Sequence, residues 1–172
     1  MKVVTFARTI GMRIMQSGDS IVLPAGIPLI YNDINSAEIH TRPDAVDADI
    51  RDLAPHEFRA FNFKADDLSG KSLMKVRPGG IGDLLFDTPS QKKIVQAYPN
   101  SITTMVATPM HLPVLQANPT YSRFAHYPCP LQMWNEHDFH VDFEGILEGN
   151  SASHGVPAVD MYARWQGIEW EE

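Results

Sequence analysis

The nine residues Lys75-Val76-Arg77-Pro78-Gly79-Gly80-Ile81-Gly82-Asp83 bring two cations, three glycines and a carboxylate into one short turn. Glycines at the end of a strand let the backbone turn tightly and approach a ligand, and amides entering a following helix supply donors for an anion. A carboxylate there is ionised at neutral pH and takes a proton from anything within hydrogen-bond reach. The spacing is not a dinucleotide fingerprint, because Gly80-Ile81-Gly82 runs on into Leu84-Leu85 with no third glycine. Nor is Gly70-Lys71-Ser72 a P-loop, since position 65 is alanine. On residue types alone two readings stand: a ligand-binding turn, or a plain strand-to-helix turn in which Asp83 caps the helix.

The elements that must position this turn follow from the pattern around it. Ser72 to Arg77 reads as a short strand and Pro78 to Gly82 as the turn that ends it, with a helix next. Thr88-Pro89-Ser90-Gln91 has the form of a capping box that starts another helix, which Tyr98-Pro99-Asn100 stops. Ile102 to Ala107 is a strand, His111 to Ala117 a helix, Phe124 to His126 and Phe139 to Phe143 two more strands, and Ala158 to Gln166 a last helix. Strands alternating with helices at this spacing predict a parallel sheet. Ahead of it, residues 1–42 are rich in Val, Ile, Thr and Tyr, with a hairpin turn at Gly18-Asp19 and another turn at Pro24-Ala25-Gly26. Residues 42–67 are polar and acidic and read as a connector with a short helix near Pro55 to Phe58. The expected organisation is a β-rich segment with its acidic connector over residues 1–70, and an α/β domain over 71–172.

The run from Leu73 to Pro89 resembles the opening of glycosyltransferase family 9, the ADP-heptose:lipopolysaccharide heptosyltransferases. That family begins with a strand, an Arg-x-Gly-x-x-Gly-Asp turn and a Thr-Pro or similar pair. Ala97-Tyr98-Pro99, the strand to Ala107, Leu115 to Pro119, Asp138 to Gly145 and Trp165 to Ile168 follow in the same order, so the resemblance covers residues 73–168. It implies a Rossmann-like sheet of the GT-B class, N-terminal half, binding a glycan or lipid-linked saccharide acceptor. Asp83 would be the catalytic general base that deprotonates the acceptor hydroxyl. Gly79, Gly80 and Gly82 would let the backbone approach the reacting groups, and Lys75 and Arg77 would attract phosphate. No resident cofactor and no metal is implied; the donor substrate would be a sugar nucleotide such as ADP-heptose. The family's donor-binding domain is expected in cis or in trans. The competing expectation is a non-catalytic interaction module whose residues 1–70 form an assembly arm and drive self-association.

The remaining signals are read blandly. In an extended strand His140, Asp142 and Glu144 share a face and have the donor types for a divalent metal, but the resemblance explains them as strand-end residues. Asp44, Asp47, Asp49 and Asp52 lack the central glycine and terminal glutamate of a calcium loop and read as solvated. Ser153-His154 has no nucleophile elbow around it. Tyr121, Tyr127, Trp134 and Tyr162 suit an acceptor groove or packing between short elements and read as packing, and Met105, Met110, Met133 and Met161 read as core rather than a cofactor box. With 172 residues, 44% of them hydrophobic, the chain buries a core of ordinary domain size. A net charge of −7 argues against nucleic acid as a partner. Cys129 is a lone cysteine and forms no internal disulfide, and no stretch approaches the roughly 20 apolar residues of a membrane span. A cytoplasmic protein is expected.

Overall fold

The computed structural model describes residues 1–13, 20–33, 37, 39, 41, 42, 45, 47–147 and 155–170. The expected Gly18-Asp19 turn, Asp44 and Ser153-His154 lie outside the described residues. The chain forms two units, one of Met1–Glu57 with Pro128–Glu136, the other of Phe58–Tyr127 with His137–Glu172.

The first unit is antiparallel. Strands β1 (Lys2–Thr5), β4 (Pro28–Tyr31), β5 (Asp49–Asp52) and β9 (Cys129–Pro130) form a sheet in the order β5-β1-β4-β9, and β2 (Ile10–Arg13) pairs with β3 (Ser20–Leu23). Val3, Val4, Leu29 and Ile30 give β1 and β4 their buried side chains. β5 corrects the reading of residues 42–67 as connector alone: Asp49-Ile50-Arg51-Asp52 has no apolar face, yet it pairs with β1 at the sheet edge, where charged side chains cost little. A 3-10 turn follows at Pro55–Glu57. Beyond β9, helix α4 (Leu131–Asn135) buries Trp134, whose Nε1–H donates to the Glu57 carbonyl. Burial pushes the Cys129 thiol up to about 12, so it stays protonated and inert.

The second unit is α/β. Strands β6 (Ser72–Val76), β7 (Ile102–Ala107), β8 (Arg123–His126) and β10 (Phe139–Asp142) form an all-parallel sheet in the order β10-β6-β7-β8. In chain order within the unit this is 4-1-2-3, the arrangement of the first four strands of a Rossmann-like sheet. Helices α1 (Ile81–Phe86) and α2 (Thr88–Ala97) connect β6 to β7, α3 (Leu112–Gln116) connects β7 to β8, and α5 (Ala158–Trp165) closes the unit. The core gathers Leu73, Leu84, Ile94, Met105, Phe139 and Tyr162. Residues 59–61 run along the outer edge of β10, with the His140 amide donating to the Arg59 carbonyl at 2.8 Å and the Phe61 amide to the His140 carbonyl at 3.0 Å.

The capping box does not form. Thr88 is already helical, Asp87 stands at the cap position without a side-chain cap bond, and Gln91 is buried with its Nε2–H donating to the Thr120 carbonyl at 2.8 Å. Asp87 is engaged elsewhere. Its two oxygens each accept from the Lys75 ammonium at 2.9 Å, and they also accept from the Tyr121 hydroxyl at 2.8 Å and Gln166 Nε2 at 2.9 Å. No described helix is long and apolar enough to cross a membrane.

Candidate functional site

Going outward from β6, its chain neighbour β7 lies on one side and β10, the last strand, on the other, so the winding of the sheet reverses between β6 and β10. The crevice at the carboxyl ends of two such strands is where open α/β sheets bind ligands. Residues 77–83 leave β6 at that point, and Phe143-Glu144-Gly145 leaves β10 there. The Arg77 amide donates to the Val106 carbonyl and the Phe143 amide to the Val76 carbonyl, both at 3.0 Å, so both loops start from fixed backbone. Thr108, just past β7, donates its hydroxyl to the Pro78 carbonyl at 3.3 Å and meets His111 Nδ1 at 2.7 Å.

Arg77 organises the site. Its side chain is 3% exposed, and its guanidinium reaches Asp83 Oδ2 at 2.6 Å through Nη2 and both Glu144 Oε2 and the Phe143 carbonyl, at 3.3 and 3.2 Å, through Nη1. Asp83 is 21% exposed at the side chain and Glu144 18%. Asp83 is not a cap: α1 begins at Gly80 with no side-chain cap bond. Among the described residues only its Oδ2 is hydrogen-bonded, to Arg77, and the side chain is partly exposed. Two carboxylates on one guanidinium leave a net negative centre, and Arg77 holds Asp83 rather than offering charge to a phosphate.

The three glycines differ. None of them has a positive φ, so the turn does not require glycine's left-handed freedom. A Cβ on Gly79 would stand 3.0 Å from Arg77 Cζ, Nε and Nη2, which makes Gly79 the seat of the guanidinium. A Cβ on Gly80 would meet only Asp83 Oδ2, at 3.7 Å, and one on Gly82 would meet nothing within 4 Å. Gly82, next to Asp83 in the chain, therefore borders open space, while Gly80 packs against the Asp83 carboxylate. Lys75 is not part of this rim. It is wholly buried on Asp87, with burial pushing its ammonium down against the pull of that carboxylate, so the expected phosphate contact through Lys75 has no accessible group behind it.

Strand β10 carries the groups that sequence reasoning placed on one face without finding their use. His140 Nδ1 accepts the Arg59 amide at 3.2 Å and its ring stacks on Phe58. Asp142 Oδ1 accepts the Glu144 amide at 3.0 Å. Among the described residues no three His, Cys, Asp or Glu side chains converge as metal ligands. A pocket of about 350 Å³ opens here, lined by Phe58, Phe61, His140, Asp142, Glu144 and Trp165, with Ala60 and Val141 between them. Phe58 and Trp165 are far apart in the chain, and no local pattern announces that they line one pocket.

Strand order and the clamped carboxylate at its switch point define a Rossmann-like α/β unit with a candidate site at the usual end of the sheet. No family model matches the chain, and no curated protein matches it. Among solved structures it is similar to a glycosyl transferase family 9 protein from Veillonella parvula DSM 2008, at 21% identity and a TM-score of 0.34, over 49% of this chain. The chain spans 20% of that protein's length.

Proposed function

We propose that the α/β unit is the acceptor side of a sugar-transferring enzyme and that Asp83 is its general base. The observation that carries this reading is the arrangement of Asp83: a partly exposed carboxylate, not used as a helix cap, held by a buried arginine at the switch point, with open space over the neighbouring Gly82. The ordered motif resemblance over residues 73–168 supports the same reading. In the reaction Oδ1 of Asp83 takes the proton of an acceptor hydroxyl, the hydroxyl oxygen bonds to the anomeric carbon of the donor, and the bond from that carbon to the nucleoside diphosphate breaks. Arg77 is a positioning residue: its Nη2 holds Asp83 Oδ2, while its Nη1 is held in turn by Glu144. A nucleotide-binding domain in cis or in trans completes the donor site. The test is release of nucleoside diphosphate by the full-length protein from a panel of sugar nucleotides with oligosaccharide acceptors. Acceptor-dependent release supports the reading; its absence across the panel removes it.

A second reading, an assembly module, has its own observation. In the antiparallel unit Val22 on β3 is 66% exposed and Ile27 42%. If these side chains form a self-association surface, Val22→Asp with Ile27→Asp converts an oligomer to a monomer in sedimentation. A wild-type protein that is already monomeric rejects it.

A further inference from the structure

We infer that the pocket beside β10 is a subsite for a pyranose ring, one that holds a sugar of the acceptor next to the one that reacts; the choice of ligand class rests on the sugar-transfer reading above. A volume of about 350 Å³ sits at the small end of ligand sites, the scale of a single ring. Its lining is two-sided. Phe58, Phe61 and Val141 supply apolar wall, while Asp142 and Glu144 supply carboxylate acceptors at one side. A pyranose has the matching two-sidedness, with C–H bonds on its faces and hydroxyl donors around its rim.

Trp165 makes the wall specific. Its indole is 56% exposed, yet its Nε1–H donates to the Asp142 carbonyl at 2.8 Å, so a large apolar face is held in one pose beside the pocket. Rigid aromatic faces give contact area at little entropic cost. The opposite wall is equally fixed, because residues 59–61 are hydrogen-bonded along β10 and Phe58 stacks on His140 with ring centroids 5.8 Å apart. No lysine or arginine lines the pocket, and two acidic residues do, which favours a neutral occupant with hydroxyl donors over a phosphate or carboxylate. Glu144 connects the two places: it lines the pocket and shares the Arg77 guanidinium with Asp83. A glycan with one ring in the pocket therefore brings its neighbouring ring toward Asp83.

The test is binding of free glycosides, with no donor and no transfer. The full chain, labelled with ¹⁵N, is titrated with methyl α-D-glucopyranoside, methyl α-D-mannopyranoside and methyl α-D-galactopyranoside. At least one should shift the amides of residues 58–61 and 140–144 and the Trp165 indole N–H, saturating in the millimolar range. Trp165→Ala should weaken that binding at least about tenfold, Trp165→Phe less, and Trp170→Ala, on a remote indole, not at all. The inference is overturned if none of the glycosides shifts these signals, if Trp165→Ala binds as tightly as wild type, or if tetramethylammonium shifts them where the glycosides do not, which marks a cation site. A negative result removes the subsite and leaves the Asp83 reading to its own turnover assay.

Discussion

Gly79 owes its identity to Arg77, not to its own backbone. Its φ is not in the left-handed region, but the guanidinium lies only 3.0 Å from where a side chain would begin. Gly79→Ala should therefore displace the arginine, loosen its 2.6 Å contact with Asp83 and lower kcat about tenfold or more, since small misplacements of a catalytic group are costly. Thermal melting beside the turnover assay checks it: a lowered kcat with a nearly unchanged Tm is expected. Gly82→Ala meets no neighbour and serves as the control for folding of the turn. The residue types of this motif were legible in the sequence, and so were the two alternatives it left open for Asp83, a ligand-side carboxylate or a helix cap. The partner was not, because Glu144 lies 67 positions from Arg77 and only the closing of the sheet brings it there.

At the scale of elements, the short apolar runs Leu73-Met74 with Val76 and Ile102 to Ala107 marked β6 and β7, and Pro78 with Gly79 and Pro109 marked where they stop. β5 was hidden because Asp49, Arg51 and Asp52 carry no hydrophobic alternation; an edge strand of this kind is recruited by its partner's open hydrogen bonds. Its anchor is Arg51, which grips both oxygens of Glu57 at 2.8 and 2.9 Å. This arginine, together with the Ala54 amide, holds the Glu57 carboxyl down at about 2. A carboxylate whose value falls on folding contributes stability that is complete above the ordinary glutamate range and is lost as pH falls from about 4.5 to about 2. Because Arg51 is 44% exposed, solvent trims this to about 1 kcal/mol; Glu57→Gln should remove that part of the acid-side slope in denaturant titrations at stepped pH. Lys75 misled for a different reason. The resemblance gave Lys75 a phosphate to attract, whereas here it is sealed with Asp87, Tyr121 and Gln166 inside the α/β unit. Lys75→Met alone leaves a buried carboxylate uncompensated and should cost about 3–5 kcal/mol, while Lys75→Met with Asp87→Leu should recover most of it. Urea unfolding of the single and double variants measures both, and an additive loss would contradict the pairing.

For the whole molecule, the two units follow different folding rules. One is an antiparallel sheet assembled from both ends of a long sequence interval, since β9 and α4 join strands from the first 57 residues. Nothing in the local pattern of residues 128–136 marks that affiliation; it is decided by the pairing of β9 with β4 and the burial of Trp134. The other unit was readable in outline because a βα alternation leaves few topologies open. Its strand order, which alone creates the switch point, came only with the structure. The account stands or falls on Asp83 as the group that accepts the proton. Its most direct measurement is kcat for wild type and Asp83→Asn in the full-length protein, at saturating donor and acceptor and with matched melting temperatures. A general base predicts a loss of about 10²–10⁴-fold in kcat with acceptor affinity kept. An Asp83→Asn protein that turns over at the wild-type rate would contradict it.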